Sequence, residues 1–190
     1  MKDLQEVLMT RRTVYKFTDQ QIDDSIILQA INAASMAPCH KNTHPWRFYV
    51  IGNKTRDNLI PTIRRLAEQK SIRLKSHNIE HNIQRAIKKI ISPPLLIAVT
   101  SKKNDKDKFR EKEDYAASVC ALHNMVLSFW NNGVGSQWST GSITRELETY
   151  QILSIEPTNE EIIGFLKIGY PESLPKVMKL SVQEITTNLE

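Results

Sequence analysis

One segment limits the fold more than any other. In residues 109–131 the apolar positions Tyr115, Val119, Leu122, Val126 and Phe129 recur at three- and four-residue spacing, the period of one helix face. Ala116, Cys120 and Trp130 widen the stripe. A long helix this broadly apolar belongs in the middle of a domain or at a contact between subunits. The chain has 190 residues, enough for a single domain built around such a helix, so 1–190 is read as one domain. Hydrophobic residues make up 40% and charged residues 25%, which excludes a disordered chain and a fibre. The longest strongly apolar run, residues 93–99, is far short of the ~20 residues that span a bilayer. The first residues lack the apolar core of a secretory signal. A cytoplasmic protein without a membrane partner is expected.

The remaining elements follow from pattern. Leu4, Val7 and Leu8 have helical spacing, so 3–10 reads as a helix. A second helix runs from Ser25, a candidate N-cap, to Met36, and Pro38 stops it. Residues 46–52 and 95–100 are aromatic or β-branched and read as strands, the second continuously apolar and therefore central. Residues 55–91 are helical in pattern, with Pro61 expected to kink or restart the helix. Gly133 closes the long helix. A strand leading into a loop, a helix at 144–153 and a strand at 162–171 follow, and the tail from 172 has no core-facing pattern. Pattern alone gives a mixed α/β three-layer domain whose strand directions are not legible.

Charge is unevenly placed. Residues 54–112 hold 16 of the 26 Lys and Arg but 6 of the 21 acids, a local net of +10. That asymmetry fits a phosphorylated small molecule or a solvated lysine-rich surface. The near absence of interleaved aromatics argues against nucleic acid as a partner. The two cysteines, each near a histidine (Cys39 with His40, Cys120 with His123), lie 80 residues apart without a C-x2-C pair, so no metal site is expected.

No glycine-rich nucleotide motif and no nucleophile elbow is present. Three polar clusters remain. Arg11, Arg12 and Thr13, with Lys16 close behind, can grip a phosphate bidentately, or simply cap a helix C-terminus and complement its dipole. Residues 37–48, APCHKNTHPWRF, deliver His40 and Asn42 on a loop between a helix and a strand. Residues 133–141, GVGSQWSTG, combine glycines with Ser and Thr hydroxyls, suited to an anion or a pyrimidine-like ring.

Taken together, RRTVYKF near residue 11, APCHKNTHPWRF, GVGSQWSTG and the closing IIGFLKIGYP resemble the nitroreductase family of FMN-dependent oxidoreductases, in its compact bacterial type. The resemblance covers about residues 3–172 and leaves the basic 54–92 stretch without a motif. It implies an α+β fold of three layers, α-β-α, with a central mixed, mainly antiparallel sheet flanked by helices. It also implies a homodimer with two FMN sites at the interface, 109–131 as the dimer-core helix, and a tail (about 172–190) packing on the partner. By the same resemblance Arg11, Arg12 and Thr13 contact the FMN phosphate and ribityl chain, with Lys16 nearby. Met36, His40 and Asn42 come from the partner subunit, and Trp138, Ser139 and Thr140 lie along the isoalloxazine or phosphate. Cys39, His44 and Ser139 depart from the usual residues of that family. The C-terminal basic motif is reduced to Lys176 and Lys179.

The function implied is reduction of nitroaromatics, quinones or related electron-poor small molecules with NADPH or NADH, by ping-pong kinetics. The flavin carries the chemistry, so no protein residue is catalytic. The competing reading is an FMN- or polyanion-binding regulatory protein without turnover.

Overall fold

The chain lays its apolar runs into one sheet and covers both faces with helices. In the computed structural model, which describes residues 3–189, the helices are α1 (Leu4–Thr10), α2 (Asp24–Ser35), α3 (Asn53–Arg73), α4 (Ile79–Ile91), α5 (Lys108–Asn131), α6 (Leu147–Leu153) and α7 (Val182–Ile185). The strands are β1 (Trp46–Val50), β2 (Leu95–Lys102), β3 (Gly135–Ser139) and β4 (Glu160–Gly169), and 3-10 turns stand at His40–Asn42 and Ser142–Arg145. The sheet order is β1-β2-β4-β3. All three ladders are antiparallel. The parallel component of the expected mixed sheet is limited, among the described residues, to one isolated bridge between Thr13 and Ser136. The class is α+β, as expected.

Alternation along β2 builds the layers. Leu95, Ile97 and Val99 face the core under α2 and α5. Leu96 and Ala98 face the core under α3, α4 and α6, with Leu59, Ile63, Ile90 and Tyr150. The β2–β4 register shifts between Val99 and Thr100, so that Val99 pairs with Gly164 and Thr100 with Ile162. Ile163 is the extra residue of this bulge, and it turns toward α5.

Pro61 does not restart the helix. α3 runs through it, because Leu59, Thr62 and Ile63 on either side are buried. The carbonyl that loses its donor belongs to Asp57, which is exposed to solvent. The chain breaks instead at Lys75, whose φ is 49°, and restarts at the N-cap Asn78. Asp23, not Ser25, caps α2: its carboxylate accepts from the Ser25 amide. The stripe on α5 also divides. Leu122, Val126, Phe129 and Trp130 are buried in the chain's own core, whereas Tyr115, Ala116 and Cys120 are exposed.

One basic residue of the 54–92 stretch is structural. Arg56 is 4% exposed and donates to the carbonyls of Ile51, Ile91, Pro93 and Pro94. It thereby ties the start of α3 to the end of α4 and the entry of β2, and every bond it makes answers an orphan carbonyl.

Candidate functional site

The first and third sequence clusters meet at the edge of the sheet. The residues after α1 run beside β3, where the Val14 amide donates to the Ser136 carbonyl at 2.9 Å. Val14 is fully buried. It sits where a Cβ on Gly135 would come within 2.3 Å of Val14 Cγ2, so only glycine allows the approach. The local +RRT+ segment and the glycine-containing strand are thus one structural unit, and Arg11, Arg12 and Thr13 flank the start of β3.

The two guanidiniums behave differently. Arg12 folds back, and its Nη1 donates to the carbonyls of Met9 at 2.9 Å and Arg11 at 2.8 Å. This is the helix-capping alternative. The Arg11 guanidinium makes no hydrogen bond or ion pair among the described residues. It lies close to His123 of α5, whose imidazole pKa is lowered first by burial and then by the Arg11 charge. Of the two arginines, Arg11 is therefore the one available to a ligand. The Lys16 side chain is exposed, and its carbonyl accepts from the Glu172 amide at 3.1 Å. Lys176 and Lys179 are exposed in the tail.

About 10 Å further along β3, at ~3.3 Å per residue, stand Trp138, Ser139 and Thr140. The Trp138 indole lies on the α5 side and donates to the Ile163 carbonyl at 3.1 Å. It fills the space over Gly164, where a Cβ would come within 2.1 Å of its Nε1. Ser139 faces the opposite side and, with Gly141, borders a cavity of about 610 Å³ between the sheet, α3 and α4. Lys70, Arg85, Lys89 and Lys167 also line it, and no carboxylate does. Lys167, in the middle of β4, is 4% exposed. Burial, reinforced by the charge on Lys89, pushes its pKa down to about 8, so at neutral pH it is still mostly an ammonium.

The second cluster lies elsewhere in the same chain. The His40 carbonyl accepts from Arg110 Nη2 at 2.6 Å, and its Nδ1 is 3.4 Å from the Glu113 carboxylate. The Thr43 hydroxyl donates to Asp114 at 2.9 Å. This loop is thus pinned to the first turns of α5, while α1 is pinned to its last turn by the bond from Trp130 to Thr10. Twenty helical residues, about 30 Å, separate Arg110 from Trp130. Met36, His40 and Asn42 are exposed and are not brought to Arg11 within one chain. Lys41, Asn42 and His44 hold positive φ of 51°, 52° and 43°, a strained loop of the kind that gathers at ligand sites. The Cys39 thiol meets His44 Nδ1 at 3.9 Å, not His40.

Along β3, then, lie an unpaired guanidinium and a hydroxyl at one end and a cationic cavity with an apolar wall at the other. That suits an elongated molecule with an anionic tail and a flat body. Lys70, Arg85, Lys89 and Lys167 are candidate site residues that the three polar clusters did not include. The signal for Lys167 was present: a single lysine inside the apolar run IIGFLKIG.

A family model described as the nitroreductase family matches residues 8–170. A Bacillus subtilis protein with the name "Putative NAD(P)H nitroreductase YfhC" is 27% identical over 177 residues, which span 93% of this chain and 88% of that protein. Among solved structures, a nitroreductase-like family protein from Bacillus cereus superposes with a TM-score of 0.84 at 22% identity, covering 100% of this chain and 97% of the other. A nitroreductase with bound FMN from Bacteroides fragilis superposes at 0.74 with 20% identity, each chain fully covered.

Proposed function

The chain belongs to the nitroreductase family, and from that premise we propose that it is an FMN-dependent oxidoreductase that uses NADPH or NADH to reduce nitroaromatics, quinones or related electron-poor small molecules. The observation that carries the reading is the pairing along one strand of an unpaired Arg11 with a cavity that contains cations and no carboxylate. An FMN has the matching shape: a phosphate, a polyol chain and a flat ring. Its phosphate is placed against Arg11 and the Thr13 hydroxyl, and its ring against Trp138, Ser139, Thr140 and the cavity. Arg12 and Lys16 stand close enough in sequence to join the phosphate end once Arg12 leaves its helix-capping carbonyls. When bound, FMN supplies the redox chemistry, taking two electrons from the nicotinamide and passing them to the acceptor. The protein's own part is to bind, orient and answer charge; no side chain need act as nucleophile. Donor and acceptor use one pocket in turn, which gives ping-pong kinetics.

The site is completed by a second copy of the chain. His40 and Asn42 sit on a loop pinned about 30 Å along α5 from the Arg11 end, and in this reading they and Met36 reach an FMN from a partner subunit. The exposed Tyr115, Ala116 and Cys120 on α5, with Leu4, Leu8 and Met9 of α1, form the apolar surface for that contact. The tail adds Leu174, Val177, Met178 and Leu180, all exposed within one chain and suited to packing on the partner. A cytoplasmic homodimer is part of this proposal. No helix among the described residues is long and apolar enough to cross a membrane.

The test is colour and bleaching. Reconstituted protein should hold FMN with a yellow flavin spectrum, and NADPH or NADH should bleach it without oxygen. A nitroaromatic or quinone should then restore the colour. Yellow protein that neither nucleotide bleaches would make this a flavin-binding protein without turnover. Protein that takes up no FMN would refute the flavin reading.

A further inference from the structure

The cavity beside Ser139 contains a charge that the chain does not answer. Lys167 is 4% exposed, yet its ammonium has no hydrogen bond or ion pair among the described residues. Among the described residues, the charge that acts on it is the like charge of Lys89. Phe165, two residues back on the same face, is buried, so an apolar side chain at 167 would satisfy the fold at no electrostatic cost. Lys70 and Arg85 open into the same space, and no carboxylate does. The rest of the wall is apolar, with Leu66, Leu74, Ile90 and Ile143. About 610 Å³ is room for a flat ring system.

We propose that this cavity takes a planar aromatic group bearing negative charge, and that Lys167, supported by Lys89, is the side chain that meets that charge. Two sources have this chemistry. One is the ring of FMN itself, which is anionic after accepting two electrons and one proton; this source rests on the flavin reading above. The other is an acidic aromatic acceptor, such as a nitrobenzoate. Lys167 is a positioning residue in the first case and a specificity-determining one in the second.

The test compares wild type with Lys167→Met, similar in length and uncharged, both with FMN bound. Two quantities are measured: the midpoint potential of the bound FMN, and the Kd of 4-nitrobenzoate and of its uncharged methyl ester for the oxidised protein, read from the flavin spectrum. If the ring is the anion, the variant holds reduced FMN at least tenfold less tightly relative to oxidised FMN. The potential then falls by about 30 mV, the tenfold equivalent for a two-electron couple, and both nitro compounds bind as before. If the acceptor is the anion, the potential stays and 4-nitrobenzoate weakens tenfold or more while the ester does not change. Lys89→Gln, on the cavity rim, should give a smaller change in the same direction. A folded Lys167→Met protein with unchanged potential and unchanged Kd for both compounds overturns the proposal. Protein that takes up no FMN defeats the flavin reading alone. Quenching of tryptophan fluorescence by 4-nitrobenzoate in that flavin-free protein, lost in Lys167→Met, would still support the pocket, and no quenching in wild type would overturn it.

Discussion

The two faces of the sheet treat buried charge in opposite ways. Under α2 and α5 the core is dry: Phe129, Met125, Ala121, Ile97 and Leu166 are all fully buried. The buried acid on that side, Asp114, accepts from Thr43 and lies 3.6 Å from Arg110. Under α3 and α4, Arg56 is answered by four carbonyls, but Lys167 a few residues away in space faces an open cavity with no partner. Where a charge serves the fold, the chain neutralises it. Lys167 is the exception, and it lies beside the strand that carries the candidate ligand site. The comparison separates a face whose buried charges are all answered from the proposed working face.

The sharpest way to break that comparison is to charge the dry face. Leu122 is 2% exposed inside the single chain, so Leu122→Glu buries an unpaired carboxylate and should remove most of the stability, roughly 4 kcal/mol or more. Circular dichroism should show loss of the cooperative melt. Ala116→Glu, about 1.7 turns away on the exposed side of the same helix, should keep the melt and split the proposed homodimer, halving the mass seen by light scattering. If Ala116→Glu unfolds the protein as Leu122→Glu does, the division of α5 into an inner and an outer surface is wrong.

The working face should respond in the other direction. Lys167 has its pKa lowered from 10.5 to about 8, so the native state binds fewer protons than the unfolded state between those values. The penalty is full below pH 8 and fades as pH rises toward 10.5. At about 1.4 kcal/mol per unit, Lys167→Met should stabilise the ligand-free protein at pH 7 by up to ~3 kcal/mol, and the gain should vanish near pH 10.5. Melting temperatures of both proteins at pH 7 and pH 10 test this. A constant difference across that range would mean that the change acts through packing and not through the proton.

How much of this was legible depended on whether a residue's role is local. The long helix, the central strand and the glycine that ends α5 follow from period and from turn chemistry, and all three appear at the expected places. The contact of Val14 with Gly135 was not legible, because it joins segments 121 residues apart. Pro61 misled for the opposite reason: a local rule was overridden by the burial of Leu59 and Ile63. The motif clusters named both Arg11 and Arg12 for a phosphate and offered helix capping as the alternative for either. Only the geometry shows Arg12 engaged with the end of α1. Lys167 was written plainly in the sequence, but its meaning needs α3 and α4 folded over it.

That difference between the arginines gives a prediction of intermediate size. Arg11→Ala should weaken FMN by roughly 1.5–3 kcal/mol, the range for a hydrogen bond to a charged group, and leave the weaker binding of riboflavin unchanged. Arg12→Ala should mainly loosen the end of α1. Fluorescence titrations of both flavins decide it: an equal loss for FMN and riboflavin in Arg11→Ala would remove Arg11 from the phosphate end.

The smallest effect is expected at Cys39, in the strained loop of the second cluster. A thiol beside a histidine invites a redox or nucleophilic role, and the sequence places His40 next to it. The fold turns His40 toward Glu113 instead and sets the half-buried thiol against His44, whose amide donates to the sulfur at 3.5 Å. The sulfur thus fills the inside of a turn that already carries three positive-φ residues, and flavin chemistry needs no thiol. Serine keeps an acceptor for the His44 amide in nearly the same volume. Cys39→Ser should therefore keep the yellow colour and change NAD(P)H-dependent turnover by less than roughly tenfold, about 1.4 kcal/mol. Steady-state rates with a quinone acceptor measure this. Loss of turnover with FMN still bound would make the loop chemically active and would move part of the working face to the far end of α5.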